Sequence, residues 1–170
     1  MLAGLGCAAM GLLLLVARGA EPGGIEEVWL LLGPPDLGAV DFPTLRRARL
    51  PVDALACPPE YCRNAVPDLV PPLLSVSGER LRGIVAEVAA EMPGTEPVFQ
   101  ARWAEEDRYV ARSPWLRLPD TINVAIIGAG EERSTLALYS RSQVALHDLG
   151  GNRARLAQWL ERIAAKARAP

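Results

Sequence analysis

Proline is the residue that most constrains how this 170-residue chain can fold. Between residues 21 and 75 it interrupts every candidate helix or strand, at Pro34-Pro35, Pro43, Pro51, Pro58-Pro59, Pro67 and Pro71-Pro72. Proline lacks a backbone N–H and fixes φ, so regular elements cannot run through these positions. Residues 21–75 therefore predict a Pro/Gly-rich extended tether that either packs over another part of the protein or is partly disordered.

Hydrophobic periodicity predicts a folded domain over residues 76–168. Ser77 can cap a helix whose apolar residues follow the i, i+3, i+4 spacing, and Pro93-Gly94 ends it. Four strands are expected at residues 98–104, 108–113, 121–127 and 133–142, with a hairpin turn at 128–131 and a last helix at 152–167. The order α-β-β-β-β-α predicts an α+β two-layer sandwich, with two helices on one face of an antiparallel sheet.

The amino terminus carries an uncharged, largely apolar run over residues 2–17. As a helix it would span ~24 Å, somewhat less than a hydrocarbon core of ~30 Å. Residues 1–20 therefore predict a signal peptide or an uncleaved membrane anchor, with a buried helix of a cytoplasmic protein as the alternative. We expect the domain on the periplasmic side of a bacterial inner membrane. A second apolar run, residues 28–32, is expected on the membrane surface or against the domain.

Cysteine and histidine content limits the chemistry that the chain can carry. Cys57 and Cys62 enclose a short loop that an oxidising compartment would close, for about 2 kcal/mol of stabilisation; two unpaired residues are the alternative. A zinc site needs four ligands and His147 is the only histidine, so no metal is predicted. The net charge of −2 argues against a nucleic-acid partner.

A glycine motif at residues 124–130 is similar to the first strand and turn of a dinucleotide-binding fold. The third glycine of that motif would fall at Arg133, and Glu131 and Glu132 would repel a pyrophosphate. A hairpin turn explains the same glycines, and no cofactor is predicted.

The start of the last helix is the candidate binding site. A helix N-terminus flanked by Gly150 and Gly151 offers free backbone N–H groups to an anion, with Arg141, Arg153 and Ser142 available to assist. The favoured alternative is that Asp148 or Asn152 caps these groups itself.

The chain shows no complete catalytic set. His147 could act as a base near Ser140 or Ser142, and Asp120 could pair with Asp148, but spacing alone supports neither arrangement. The aromatic residues Trp103, Trp115 and Tyr109 are expected in the core or in an apolar pocket. A non-enzymatic protein is favoured.

Ser140-x-Ser142, followed by the run Asp148-Leu149-Gly150-Gly151-Asn152-Arg153, resembles the hallmark of the family named domain of unknown function 1499, DUF1499. Residues 109–113 resemble the family's strand ending in Arg-Ser, which adds Arg112 to the candidate ligand-binding residues. The resemblance extends over residues 57–165. It implies a bacterial or plastid protein, often exported or membrane-tethered, with no established activity.

This chain departs from the family hallmark at four positions. Tyr139 and Gln143 stand where the family has two flanking arginines, Arg141 lies between the serines, and His147 replaces a serine. If the arginines bind a ligand in relatives, binding here would differ.

Taken together, the sequence predicts an exported or membrane-tethered protein whose domain binds a partner or a ligand. The candidate ligand-binding residues are Arg112, Arg141, Ser142, Asp148, Asn152 and Arg153. One alternative is an accessory subunit of a membrane protein complex. The other is a hydrolase that uses Asp148, Arg153 and Ser142.

Overall fold

The computed structural model of the chain describes residues 2–102, 106–145 and 147–169. Its elements in chain order are α1 (Leu2–Arg18), α2 (Ile25–Leu30), a 3-10 turn (Phe42–Thr44), β1 (Asp53–Ala56), α3 (Gly78–Glu91), β2 (Thr95–Gln100), β3 (Glu106–Arg112), β4 (Pro119–Gly128), β5 (Ser134–Ser142) and α4 (Gly151–Arg168).

The strands form one antiparallel sheet in the order β1-β5-β4-β3-β2. The hairpin predicted after β4 is present, because Gly128 pairs with Ser134 and the backbone N–H of Ala129 donates to the Arg133 carbonyl at 2.8 Å. The α+β class, with helices against an antiparallel sheet, is confirmed.

Helices α3 and α4 pack side by side on one face of the sheet. The hydroxyl of Ser77 accepts a hydrogen bond from the Arg80 backbone at 3.2 Å, so the predicted cap of α3 is confirmed. The core between the layers centres on Trp159, which is fully buried and meets the ring of Tyr109 edge-on with 5.6 Å between centroids.

The Pro-rich segment covers the opposite face of the same sheet. Phe42 and Leu45 are buried against Leu55, Ala137 and Tyr139. Ion pairs hold the segment in place, with Asp36 3.0 Å from Arg108 and Arg47 2.7 Å from Asp53. Residues 36–52 and 57–65, on either side of β1, therefore lie on the domain as an irregular outer layer, and this is why nearly all of β4 is buried on both faces.

The domain starts earlier in the chain than the sequence predicted. Asp53–Ala56 was assigned to the tether of residues 21–75, yet it is the edge strand β1 and pairs with β5 from Asp53↔Arg141 to Ala56↔Leu138. The strand has only four residues between Pro51 and Pro58, which is too short to show an alternating pattern.

The boundaries of strands β2 and β3 also differ from those that the sequence predicted. Glu106 and Asp107, which fall between two of the predicted strands, begin β3, and Asp107 is held by the Arg82 guanidinium at 2.6 Å. Strand β2 begins at Thr95 rather than at residue 98, and Trp103 lies outside the described residues.

Helix α1 exposes several apolar side chains to solvent. Met10, Leu12, Leu13 and Leu14 are between 54% and 66% exposed. In the described part of the chain, no helix combines the length and apolarity needed to cross a membrane.

Candidate functional site

A cleft opens where the end of β5, the start of β4 and the N-terminus of α4 meet. We call it the α4 cleft; its cavity volume is about 210 Å³. Its lining combines apolar and polar side chains: Ser113, Leu118, Pro119, Asp120, Ser142, Val144, Ala145, His147, Asp148, Leu149, Gly151, Asn152 and Arg155.

Asp148 satisfies the backbone at the start of α4. Its two carboxylate oxygens accept hydrogen bonds from the backbone N–H groups of Gly150 and Asn152, both at 2.9 Å. These are the bonds that the capping interpretation predicts. Burial opposes ionisation of Asp148, but the hydrogen bonds from Gly150 and Asn152 outweigh it and hold the pKa of this carboxyl below its usual value. The chain therefore supplies its own anion to this helix N-terminus.

Asn152 is the centre of a buried polar network. Its carboxamide oxygen accepts from the Ser140 hydroxyl and from the Arg155 guanidinium, the latter at 2.8 Å. Its carboxamide nitrogen donates to the Val52 carbonyl at 3.1 Å and to the Ser142 hydroxyl at 3.0 Å. Asn152 is 1% exposed, so these four bonds are what makes its burial tolerable.

Arg155 joins this network to the sheet. Its guanidinium lies 2.7 Å from the carboxylate of Asp120 on β4 and also donates to Ser140 on β5 at 3.1 Å. Asp120 and Asp148 both line the cleft, but each is engaged by a separate partner: Asp120 by Arg155, and Asp148 by the helix backbone.

Three polar groups in the cleft retain a proton to donate. Ser113 and Ser142 each accept a hydrogen bond, from Leu118 N–H and from Asn152 respectively, both at 3.0 Å. The Nδ1 atom of His147 accepts from Leu149 N–H at 2.8 Å, so a neutral imidazole carries its proton on Nε2. Among the described residues no acceptor takes the two hydroxyl protons or the Nε2 proton. The cleft is thus equipped to hold a group that accepts hydrogen bonds.

The structure separates the six residues that the sequence proposed as ligand-binding. Ser142, Asp148 and Asn152 meet in the α4 cleft. Arg141 points to the opposite face of the sheet, where it donates to the carbonyls of Leu37 at 2.7 Å and Gly38 at 2.9 Å. Arg153 is exposed on α4 and is not among the lining residues.

Arg112 lines a second, smaller cleft of about 130 Å³ between α2 and the end of the sheet. Its guanidinium is 2.9 Å from Glu26 and 2.7 Å from Glu96, so its charge is already neutralised by two carboxylates. Gln143 lines the same cleft, and both amide atoms of its side chain are buried without a hydrogen-bond partner in the described part of the protein.

The sequence analysis missed Arg155, which organises the cleft. The resemblance to the family hallmark ends at Arg153, and Arg155 lies two residues beyond it. The available signal was helical spacing, because residues three apart on a helix are neighbours and Arg155 follows Asn152 by three.

Outside the two clefts, the described residues carry a disulfide but no metal-binding cluster. Cys57 and Cys62 are joined by a disulfide, with their Cα atoms 6.2 Å apart, on the inner side of the irregular outer layer. Across residues 2–102, 106–145 and 147–169, no group of three or more His, Cys, Asp or Glu side chains could hold a metal ion.

The fold and site define a class: an α+β domain with a polar cleft at one end of an antiparallel sheet, preceded by an exposed apolar helix. The family described as "Protein of unknown function (DUF1499)" matches residues 53–163, and the chain belongs to it. The matched segment begins at the first residue of β1, in agreement with the edge strand.

One of the solved structures that match this chain does so with a low TM-score. The crystal structure of TTHA0849 from Thermus thermophilus is 12% identical, with a TM-score of 0.30, over 68% of this chain and 90% of that one. None of the curated proteins matches the chain.

Proposed function

We propose that this protein is exported, held at the periplasmic face of a bacterial inner membrane, and binds a ligand in the α4 cleft without transforming it. The observation that carries the proposal is the set of three donors, Ser113, Ser142 and His147, that line one cleft. A carboxylate, phosphate or carbonyl group fits such a site because each of these groups accepts hydrogen bonds.

The proposed location rests on two features. Helix α1 exposes apolar side chains, and hydrocarbon is the environment that favours them. The disulfide between Cys57 and Cys62 fits an oxidising compartment outside the cytoplasm. Residues 1–20 act in this proposal either as a cleaved signal peptide or as a retained anchor, and the mass of the intact chain distinguishes the two.

Ligand binding is tested by thermal unfolding of the full chain in acetate and in inorganic phosphate at constant ionic strength. We expect at least one anion to raise Tm, and the Ser142→Ala variant to lose that shift. Leu73→Ser, at an exposed position by the opposite end of the sheet, is the matched control and should keep the shift. No shift with either anion in the wild-type chain would contradict the proposal.

Location is tested by adding proteinase K to intact cells and to spheroplasts of the native bacterium. We expect the domain to be digested in spheroplasts and protected in intact cells. Protection in spheroplasts, with digestion only after lysis, would place the domain in the cytoplasm and contradict the proposal.

The hydrolase alternative has less support. The backbone N–H groups that Asp148 accepts lower the pKa of its carboxyl and so weaken it as a base, and Arg153 does not line the cleft. The accessory-subunit alternative is supported by the exposed apolar residues at the end of α2, Leu30, Leu31 and Leu32, which a partner subunit could cover. Co-migration with a large complex on a native gel would favour it.

A further inference from the structure

Exposed apolar side chains gather at the end of the domain next to α1. They come from four separate loops or helix ends, and we call them the apolar end: Leu31, Leu32, Leu50, Trp115, Leu116 and Leu149. Leu31, Trp115 and Leu149 are the most exposed of them, at 85%, 80% and 91%. Isolated exposed leucines are ordinary, but a group of this kind marks an interaction surface.

The topology places these residues at one end of the sheet. Trp115 and Leu116 lie in the loop from β3 to β4, and Leu149 lies between β5 and α4. The segment that carries Leu50 is joined to the one that carries Leu149, because the Pro51 carbonyl accepts a hydrogen bond from Asp148 N–H at 3.2 Å. Leu31 follows α2, whose residues line the smaller cleft together with the end of β3 and the start of β4.

The apolar end is held together by specific contacts. The indole N–H of Trp29 donates to the Leu116 carbonyl at 2.7 Å, and Glu26 on α2 pairs with Arg117 and with Arg112. Arg117 and Leu149 both adopt positive φ, at 50° and 54°, which is uncommon for residues with a side chain. The two loops that present Trp115 and Leu149 to solvent are therefore fixed in unfavourable backbone conformations, as occurs at functional surfaces.

We infer that the apolar end docks onto the surface of a phospholipid bilayer and sets the orientation of the domain there. The inference rests on the proposed membrane location. The chain passes from the apolar helix α1 into α2 through residues 19–24, so a membrane that holds α1 lies beside the apolar end. Trp and Leu are the side chains that a bilayer interface accepts, and the exposed Arg46 and Arg49 next to Leu50 complement anionic lipid headgroups.

Fluorescence quenching by brominated lipids tests the docking. The full chain is reconstituted with vesicles of phosphatidylethanolamine and phosphatidylglycerol whose acyl chains carry bromine. Bromine quenches only tryptophans that reach the hydrocarbon, so the difference between the wild-type chain and Trp115→Phe reports on Trp115. We expect quenching in the wild-type chain and loss of most of it in Trp115→Phe.

A second pair of variants checks the surface without removing the probe. Leu31→Ser combined with Leu149→Ser should reduce the quenching of Trp115, whereas Leu73→Ser at the opposite end of the sheet should leave it unchanged. Leu31, Leu149 and Leu73 are all exposed, so none of these substitutions is expected to unfold the domain. Vesicles of phosphatidylcholine alone should give weaker quenching, because they lack the negative charge that complements Arg46 and Arg49.

The outcomes separate docking from membrane anchoring. A chain that sediments with the vesicles, but in which Trp115 is not quenched, would overturn the docking while leaving the anchoring intact; a protein partner would then be the occupant to pursue. A chain that stays in the supernatant would overturn both.

Discussion

Arg155 on α4 and Asp120 on β4 form an ion pair with 2.7 Å between nitrogen and oxygen, and this pair joins the helix layer to the sheet at the α4 cleft. The Arg155 side chain is 18% exposed and that of Asp120 12%. Water screens such a pair much less than it screens an exposed one.

A double-mutant cycle with Asp120→Ala and Arg155→Ala should give a coupling energy of about 2 kcal/mol, measured by urea unfolding. The control pair Arg80–Glu87 is separated by 3.4 Å, with side chains 57% and 47% exposed, and should give less than about 0.5 kcal/mol. Equal coupling in the two pairs would mean that Arg155 does not organise the cleft.

Asp148→Ala removes two hydrogen bonds to the start of α4 and should lower the free energy of unfolding by about 1 kcal/mol at neutral pH. Asp148→Asn keeps one acceptor oxygen and should lose less. An unchanged free energy of unfolding in Asp148→Ala, together with loss of anion binding, would show that the carboxylate serves a ligand rather than the helix.

The lowered pKa of Asp148 predicts that the free energy of unfolding depends on pH. Its pKa is lower in the folded protein than its ordinary value of 3.8, so ionisation of Asp148 stabilises the fold fully above pH 3.8. This contribution is lost as the pH falls below 3.8 through the pKa of the folded state. Urea unfolding at several pH values should show the difference between wild type and Asp148→Asn shrinking over that range; a constant difference would be inconsistent with the lowered pKa.

Phe42→Ala tests whether the Pro-rich segment is part of the folded structure. Phe42 is 3% exposed in the irregular outer layer, so its truncation should cost about 3–4 kcal/mol of unfolding free energy. Leu50→Ala, in the same segment but 51% exposed, should change it by less than about 0.5 kcal/mol. If the irregular outer layer were a loose tether, both variants would match the wild-type chain.

Sequence reasoning recovered helices α3 and α4 and the long strands because their apolar spacing is regular over many residues. The cap at Ser77 and the turn after Gly128 are decided by local chemistry, which a single sequence displays. Strand β1 and the outer layer were not predictable in this way, because their stability comes from contacts with distant residues such as Tyr139 and Ala137.

The candidate site was predicted in part. Ser142, Asp148 and Asn152 are close in the chain and meet in the cleft, but Arg141 could have been excluded from its position alone. Side chains alternate along a strand, so Arg141 must face away from Ser140 and Ser142. Asp120 and Arg155 meet only through the packing of α4 on the sheet, and no local pattern reports their pairing.

Replacing both Cys57 and Cys62 by alanine should lower the free energy of unfolding by about 2 kcal/mol, because the short loop between them is then no longer closed. Reduction of the wild-type disulfide with dithiothreitol should produce a similar decrease and leave the alanine variant unaffected. A reductant effect of the same size in both proteins would assign the loss to another cause.

The mass of the intact chain, taken from native membranes after alkylation of free thiols, tests most directly whether the protein is exported and held at the membrane. We predict that it is recovered in the membrane fraction with Cys57 and Cys62 unalkylated and still joined, and the same mass reports whether residues 1–20 remain. An unprocessed chain in the soluble cytoplasmic fraction, with both of these cysteines alkylated, would contradict the account.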